Sequence, residues 1–329
     1  MNFAIIGLGN IANKFAKTIN ELNKTLYAVG SRDINKAKEF KDKYNAIKYY
    51  GSYEDLYNDN NIDIIYIATP NNMHYKNCLD ALNHNINVIC EKPFTVNHIE
   101  AKELYDLAKE KDLFIMEGLW IRFLPLYKRL KELLNNNYIG NIKNITVSYG
   151  FDTNDVRKVR KFDPNLAGGA LLDIGIYNIG LLDMITNSNV ISFNSDYKIN
   201  EYGTDSYSKI DFIFENNITA TSICEIGHDI KREVYIKGDN GIIYIPDFQH
   251  AEYFEVIKDK KEEYNFPFEI NGFEYEIKEA INCIKNNKNE SNIYTSNDSI
   301  RLMKLLYDIR MSWNMKYPFE KWYYDFGDV

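Results

Sequence analysis

Asn2-Phe3-Ala4-Ile5-Ile6-Gly7-Leu8-Gly9-Asn10-Ile11-Ala12 decides how the rest of the chain is read. A short apolar run stops at Gly7, and from Ile11 to Leu22 apolar residues recur at helical spacing, so the segment reads as strand, tight turn, helix. Gly7, Gly9 and Ala12 place a G-x-G-x-x-A pattern on that turn. Small residues there let main-chain N–H groups and a helix N-terminus approach a pyrophosphate. The pattern alone is weak, because glycines at such turns also serve tight packing. Its position after the first strand of an alternating series makes it a dinucleotide site.

That series continues outward. Leu26 to Ser31 reads as a strand, Lys36 to Tyr44 as a helix, and Ser52 to Asp55 has the S-x-x-D form of a helix start. Strands at Ile64 to Ala68, Val88 to Glu91 and Phe114 to Glu117 alternate with helices at His74 to Leu82 and Ile99 to Lys109. The alternation predicts a parallel, doubly wound Rossmann sheet over residues 1–122. Beyond Arg122 the rhythm changes. A helix from Pro125 to Leu134, a strand from Ile142 to Tyr149, an irregular loop and a helix near Asp173 lead into strand runs at Lys209 to Phe214, Ala220 to Glu225, Glu233 to Ile236 and Ile242 to Ile245. Helices near Glu274 to Lys285 and Ser299 to Met311 close the chain. Residues 123–329 thus read as an α+β domain with a mainly antiparallel open sheet, its last helix free to pack back on the first domain.

Bulk properties agree with an α/β protein of two well-packed domains: 329 residues, 45% hydrophobic. A formal charge of −8 offers no general attraction to nucleic acid or anionic lipid, so a small molecule or a second copy of the chain is the expected partner. Cys78, Cys90, Cys224 and Cys283 are widely spaced and form no C-x-x-C pair, which suits reduced core thiols and no metal. The N-terminus opens directly on a strand and no apolar run reads as a membrane span, so a cytoplasmic location is expected.

Two strand ends carry chemistry. After the second strand, where an acidic residue usually accepts from the adenosine ribose of NAD, the chain has Gly30-Ser31-Arg32. A hydroxyl and a guanidinium suit a 2′-phosphate, which favours NADP over NAD; Asp33 doing the ribose work is the alternative. After the strand Val88 to Glu91 comes Lys92-Pro93, putting a lysine where open α/β sheets bind ligands. Burial beside an oxidised nicotinamide favours a neutral amine there, suited to proton transfer. A solvent-exposed strand end is the plain alternative.

Taken together, the motifs resemble the Gfo/Idh/MocA oxidoreductases, in the branch of dimeric dihydrodiol dehydrogenase and glucose-fructose oxidoreductase. The resemblance rests on Gly7 to Ala12, on Ala68-Thr69-Pro70-Asn71 with His74, on Glu91-Lys92-Pro93, and on Gly168-Gly169-Ala170-Leu171-Leu172-Asp173-Ile174-Gly175-Ile176-Tyr177. Glu117-Gly118-Leu119-Trp120-Ile121-Arg122-Phe123-Leu124-Pro125 is similar to a run of the same branch. The resemblance implies Lys92 as the usual catalytic residue, with Tyr177 and Asp173 beside it. It also implies cofactor contacts from the glycine turn, Asn10 and Ile11 included, from Ser31 and Arg32, from Ala68 to Asn71 and His74, and from Glu91 to Pro93. Trp120 would add an apolar substrate wall and Arg122 a contact to cofactor or substrate oxygens, unless both simply pack the domain seam.

The expected activity is hydride transfer between NADP or NAD and a secondary alcohol or carbonyl of a sugar, polyol or cyclic diol. Lys92 and Tyr177 form the acid/base pair, and a cationic Lys92 is expected to lower the Tyr177 phenol pKa. A homodimer through an apolar face of the open sheet is expected as well. Two alternatives stand beside it: a non-catalytic dinucleotide-sensing protein on the same fold, and a sugar–sugar oxidoreductase that retains its cofactor.

Overall fold

The computed structural model describes residues 1–153 and 155–320. In its first third β1 (Asn2–Ile6), α1 (Asn10–Glu21), β2 (Thr25–Gly30), α2 (Ile34–Tyr44), β3 (Lys48–Tyr50), α3 (Tyr53–Tyr57), β4 (Ile64–Ile67), α4 (His74–Asn83), β5 (Asn87–Glu91), α5 (His98–Glu110) and β6 (Ile115–Gly118) alternate. The six strands are parallel, in the order β3-β2-β1-β4-β5-β6. Helices cover both faces, so β4 is buried along its length, as continuous apolar strands of parallel sheets are. Strand order reverses between β1 and β4, which opens a crevice at their carboxyl ends. Ser52 caps α3 by accepting from the Asp55 N–H, as its S-x-x-D pattern predicts. The edge strand β3 was not anticipated, because Lys-Tyr-Tyr is too short to show a period.

The second part holds α6 (Pro125–Asn135), β7 (Ile142–Phe151), α7 (Asp155–Phe162), a π-helical turn (Leu171–Gly175) continuing into α8 (Ile176–Thr186), and β8 (Val190–Ile199). Then follow β9 (Asp205–Phe214), β10 (Thr219–Ile226), β11 (Ile230–Gly238), β12 (Gly241–Pro246), β13 (Tyr253–Ile257), β14 (Lys261–Asn265), α9 (Phe273–Lys285) and α10 (Ser296–Ser312). Their sheet runs β14-β13-β12-β11-β7-β10-β9-β8 and is antiparallel except for the parallel pair β7 and β10. Helix α7 stands where an irregular loop is expected from the sequence.

Every residue of α8 is buried, which explains its largely apolar sequence: it lies inside the fold, with Asn178 and Asp183 as its buried polar groups, instead of showing one polar face. With the preceding turns, Pro164–Thr186 is long and apolar enough to cross a membrane, contrary to the sequence reading, but 94% of its most apolar stretch is buried within the protein. Helix α8 thereby fixes the π-helical turn that carries Asp173. Helix α10 lies against α5, where Arg310 donates to the Val96 carbonyl at 2.9 Å. The open sheet face is not simply apolar. Ile213 alternates there with Lys209 and Asp211, and Tyr235 meets Tyr244 at 4.8 Å.

Candidate active site

The two turns at the strand-order switch touch. Gly7 adopts φ +81°, and a Cβ on it would come within 2.3 Å of the Ala68 main chain, so only glycine fits. At Gly9 the same construction meets nothing nearer than the Gly7 carbonyl at 3.9 Å, leaving an open cradle. Helix α1 starts after Gly9 with no side-chain cap, so its first N–H groups remain free for an anion. Ala12 is fully buried against the sheet, while Asn10 and Ile11 border the cleft. These features fit a dinucleotide pyrophosphate.

Ser31 is buried and its hydroxyl accepts from the Asp33 N–H at 3.2 Å. Arg32 is exposed beside Tyr53, whose phenol burial pushes up while Arg32 opposes the shift. Asp33 is occupied as the cap of α2, accepting from Asn35 and Lys36 N–H groups at 2.9 and 3.3 Å. The rival ribose acceptor therefore has a structural job.

A cleft of about 440 Å³ opens between the sheets, lined by Ala68, Thr69, Pro70, Asn71, His74, Glu91, Lys92, Asp173 and Tyr177 among others. An adjoining hollow of about 300 Å³ reaches Asn10 and Gly168. His74 is buried and braces two turns: Nδ1 faces the Pro93 carbonyl at 2.7 Å and Nε2 the Thr69 carbonyl at 2.9 Å. Burial pushes its pKa down, and the two carbonyls resist. Pro93, joined to Lys92 by a cis bond, lies buried behind the lysine. Asn71 crosses to the second domain by donating to the Ala167 carbonyl at 3.2 Å.

Lys92, at the end of β5, donates to the Asp173 main-chain carbonyl at 2.6 Å and stands 3.6 Å from the Asp173 carboxylate. Its ammonium also lies 4.7 Å from the centre of the Tyr177 ring. The structure thus brings together all three residues proposed from the sequence. Asp173 sits on a π-helical turn, not an α-helical one, but it and Tyr177 still face one cleft. Burial alone would push the Asp173 carboxyl up; Lys92 and Lys161 outweigh it and hold the group below the ordinary carboxylate range. Lys161 on α7 forms a direct ion pair with Asp173. For Tyr177 the expectation is reversed. Burial, with Glu91 next, pushes the phenol well above its ordinary value, so it is protonated in this state.

Glu91 is buried and accepts from the Tyr66 hydroxyl. Burial pushes up both Glu91 and the nearby Glu276, whose carboxyl oxygens have no hydrogen-bond partner among the described residues.

Two of the expected site residues occupy the packing seam, the alternative left open for them. Trp120 is 5% exposed and lines no part of the cleft; it stacks on Phe273 at 5.3 Å and meets His250 edge-on at 5.0 Å. Gly272 makes room for it, since a Cβ there would fall 2.3 Å from the indole. Arg122 is also buried, paired with Asp183 at 2.6 Å and lying over Tyr294 at 4.6 Å, so it belongs to the seam between domains. Tyr149 and Phe151 of β7 supply the aromatic wall instead, and Arg160, Lys161 and Gln249 complete the lining. Sequence reading passed over all five. The only signal was the alternation of β7, which turns Tyr149 and Phe151 to one face.

A glycine cradle at a sheet's switch point, with a lysine and a tyrosine converging beyond it, defines a dinucleotide-dependent oxidoreductase. Comparison with known proteins agrees. Residues 1–119 match the GFO/IDH/MocA description "Oxidoreductase family, NAD-binding Rossmann fold" and residues 127–244 match the GFO/IDH/MocA C-terminal domain. The chain belongs to the GFO/IDH/MocA oxidoreductase family. It is 30% identical over 335 residues to trans-1,2-dihydrobenzene-1,2-diol dehydrogenase of Mus musculus, covering 98% of this chain and 99% of that one. The Homo sapiens protein of the same name is 27% identical over 333 residues, covering 98% and 99%. Among solved structures, a 3-ketoreductase from Actinomadura kijaniata in complex with NADP and TDP-benzene superposes with a TM-score of 0.86 at 20% identity, covering 94% of this chain and 97% of that one. An aldose-aldose oxidoreductase from Caulobacter crescentus complexed with glycerol gives 0.86 at 20%, covering 95% and 97%.

Proposed function

We propose that this chain transfers a hydride between nicotinamide, NADP in preference to NAD, and a secondary alcohol or carbonyl of a sugar, polyol or cyclic diol. Residues 1–122 hold the dinucleotide and residues 123–329 the substrate. The carrying observation is the convergence of Lys92, Asp173 and Tyr177 on one cleft beside the glycine turn. The names of the mouse and human relatives support a cyclic diol within the substrate class.

The bound nicotinamide supplies or accepts the hydride. In the reductive direction the substrate carbonyl oxygen lies between Lys92 and Tyr177. The Lys92 ammonium polarises it, and Tyr177 releases its phenolic proton to that oxygen as the carbon receives hydride. In oxidation the proton returns to the phenolate. Asp173, kept ionised by its two lysines, accepts from a neighbouring substrate hydroxyl and sets which carbon faces the nicotinamide. The aromatic pair Tyr149 and Phe151 covers the apolar side of the ring.

The test is a screen of aldoses, inositols and trans-dihydrodiols with each dinucleotide, read by nicotinamide absorbance. Turnover should be dinucleotide-dependent, and Tyr177→Phe should lower it by roughly tenfold or more. Tight dinucleotide binding with no turnover of any of these compounds would favour the sensing alternative.

A further inference from the structure

Between α9 and α10 the chain returns to the outer edge of the first sheet, where the Ile115 N–H of β6 donates to the Asn289 carbonyl at 2.9 Å. Glu117, on the same strand, is fully buried and gathers three donors. Its Oε2 accepts from the Tyr294 hydroxyl at 2.8 Å and from the Ser299 hydroxyl at 2.6 Å. Its Oε1 accepts from the Phe94 N–H at 3.1 Å. Pro93 has no N–H, so that of Phe94 is the first main-chain donor after Lys92, and Glu117 takes it. On the other side of the turn, His74 Nδ1 lies 2.7 Å from the Pro93 carbonyl. The turn that carries Lys92 is thus pinned from both sides.

The same end of α10 grips the other half of the site. Arg301 donates from Nε and Nη2 to the two Asp183 oxygens at 2.8 and 3.1 Å. Asp183 also receives Arg122 at 2.6 Å, and it lies on α8, whose first turn carries Tyr177 and which continues the π-helical turn of Asp173. A capping box between Thr295 and Asp298 stiffens the start of α10. Ser299 and Arg301 therefore refer two elements to one short stretch of helix: the strand end that presents Lys92 and the helix that presents Tyr177. Glu117, Tyr294 and Ser299 are all buried and line neither the cleft nor the adjoining hollow, so their route to the chemistry runs through the Lys92 turn.

We propose that Glu117 is a positioning residue for Lys92, held in place by Tyr294 and Ser299, so that the start of α10 sets where the ammonium stands against Asp173 and Tyr177. The inference rests on Lys92 acting in catalysis. Removing one hydroxyl leaves a buried carboxylate short of a donor, and its reorientation loosens the hold on the Phe94 N–H. The amine then strays from the 2.6 Å bond to the Asp173 carbonyl that places it in the cleft. A displacement of about 1 Å at a reacting group can cost about 10²-fold in rate, so partial loosening should cost about tenfold.

The experiment uses the whole protein and the best substrate from the screen of aldoses, inositols and trans-dihydrodiols. Tyr294→Phe and Ser299→Ala each remove one hydroxyl and little else; Glu117→Gln replaces the carboxylate at constant size. Each should lower kcat about tenfold while KM and dinucleotide affinity stay within about threefold. Lys92→Met closes a double-mutant cycle. Added to it, Tyr294→Phe should lower kcat by less than about twofold, because no ammonium is left to place. An equal loss in both backgrounds, as general damage to the fold would give, overturns the proposal, and so does normal turnover in Tyr294→Phe and Ser299→Ala. Near-normal turnover in Lys92→Met would instead overturn the reading on which it rests. Should no screened compound react, the acetylation rate of Lys92 by an N-hydroxysuccinimide ester, followed by peptide mass spectrometry on the dinucleotide complex, reads the same amine. Tyr294→Phe should raise that rate several-fold relative to the exposed Lys17, and an unmoved rate refutes the role.

Discussion

Lys92 latches the first domain to the second by donating to the main-chain carbonyl of Asp173 at 2.6 Å, across the cleft where the strand end of β5 meets the π-helical turn. The bond fixes the ammonium next to the place where a substrate oxygen must sit. Lys92→Met keeps the length of the side chain and removes its charge. Turnover should fall at least ~10²-fold, the scale of losing a general acid/base or its electrostatic partner, with dinucleotide affinity little changed. Steady-state kinetics and a fluorescence titration of the dinucleotide measure the two. Near-normal turnover would mean the mechanism is wrong even though the fold is right.

Lys161 should tune the acid side of the pH profile. The Asp173 carboxyl is held below its ordinary range by Lys92 and Lys161 against the opposing effect of burial. Removing Lys161 leaves burial less opposed, so Asp173 in Lys161→Met protonates at higher pH. The ionised form is present above the folded-state pKa and lost as pH falls through it, so the acid-side loss of kcat/KM should begin at higher pH in the variant. Superimposable profiles would show that Lys161 does not govern the Asp173 charge.

Cofactor choice follows from the turn after β2. Asp33 is engaged as the α2 cap, while Arg32 is exposed and without an ion pair among the described residues. NADP should bind about tenfold more tightly than NAD, the scale of one charge-assisted contact, and Arg32→Ala should remove most of the difference. Equal affinities in the unsubstituted protein would sink the assignment.

The open face of the second sheet should pair two copies. Tyr235, Tyr244 and Ile213 give that face apolar area, and Lys209 with Asp211 supplies charge of both signs, which suits a self-complementary contact. Light scattering at micromolar concentration should report a dimer. A monomeric mass there counts against it.

Much of the first domain was legible because parallel strands buried on both faces leave continuous apolar runs, as Ile64 to Ile67 does, and because Gly7 and Lys92 sit at their ends. The second domain was harder. Helix α8 is buried all round, so its sequence shows no polar outer face, and α7 lies where the sequence reads as irregular loop. Trp120 and Arg122 show the limit within the site. Residue type marked them as useful, but only packing shows that Gly272 and Phe273 enclose one and Asp183 claims the other. Gln249 shows the converse, since nothing in a lone glutamine signals that Arg232, 17 positions earlier, sets its amide.

Asp205 should make stability depend on pH. It is fully buried, accepts from the Leu171 N–H at 2.7 Å through one oxygen, and among the described residues leaves the other without a partner beside Gly169. Burial pushes its carboxyl up to about 7, against the resistance of main-chain donors and Arg310. An unfolded aspartate titrates near 3.9, so between these values the folded state binds the extra proton. The group's contribution is therefore fully present below about pH 4 and lost as pH rises through about 7. Asp205→Asn keeps an oxygen for Leu171 and cannot ionise. Relative to the unsubstituted protein it should gain stability as pH rises from 5 to 8, by up to about 2.5 kcal/mol, the part of the shift that falls in this window. Urea unfolding of both proteins at several pH values measures the difference. If that difference stays constant with pH, Asp205 does not titrate in this window, and the turn that presents Asp173 is braced by a carboxylate in its charged form.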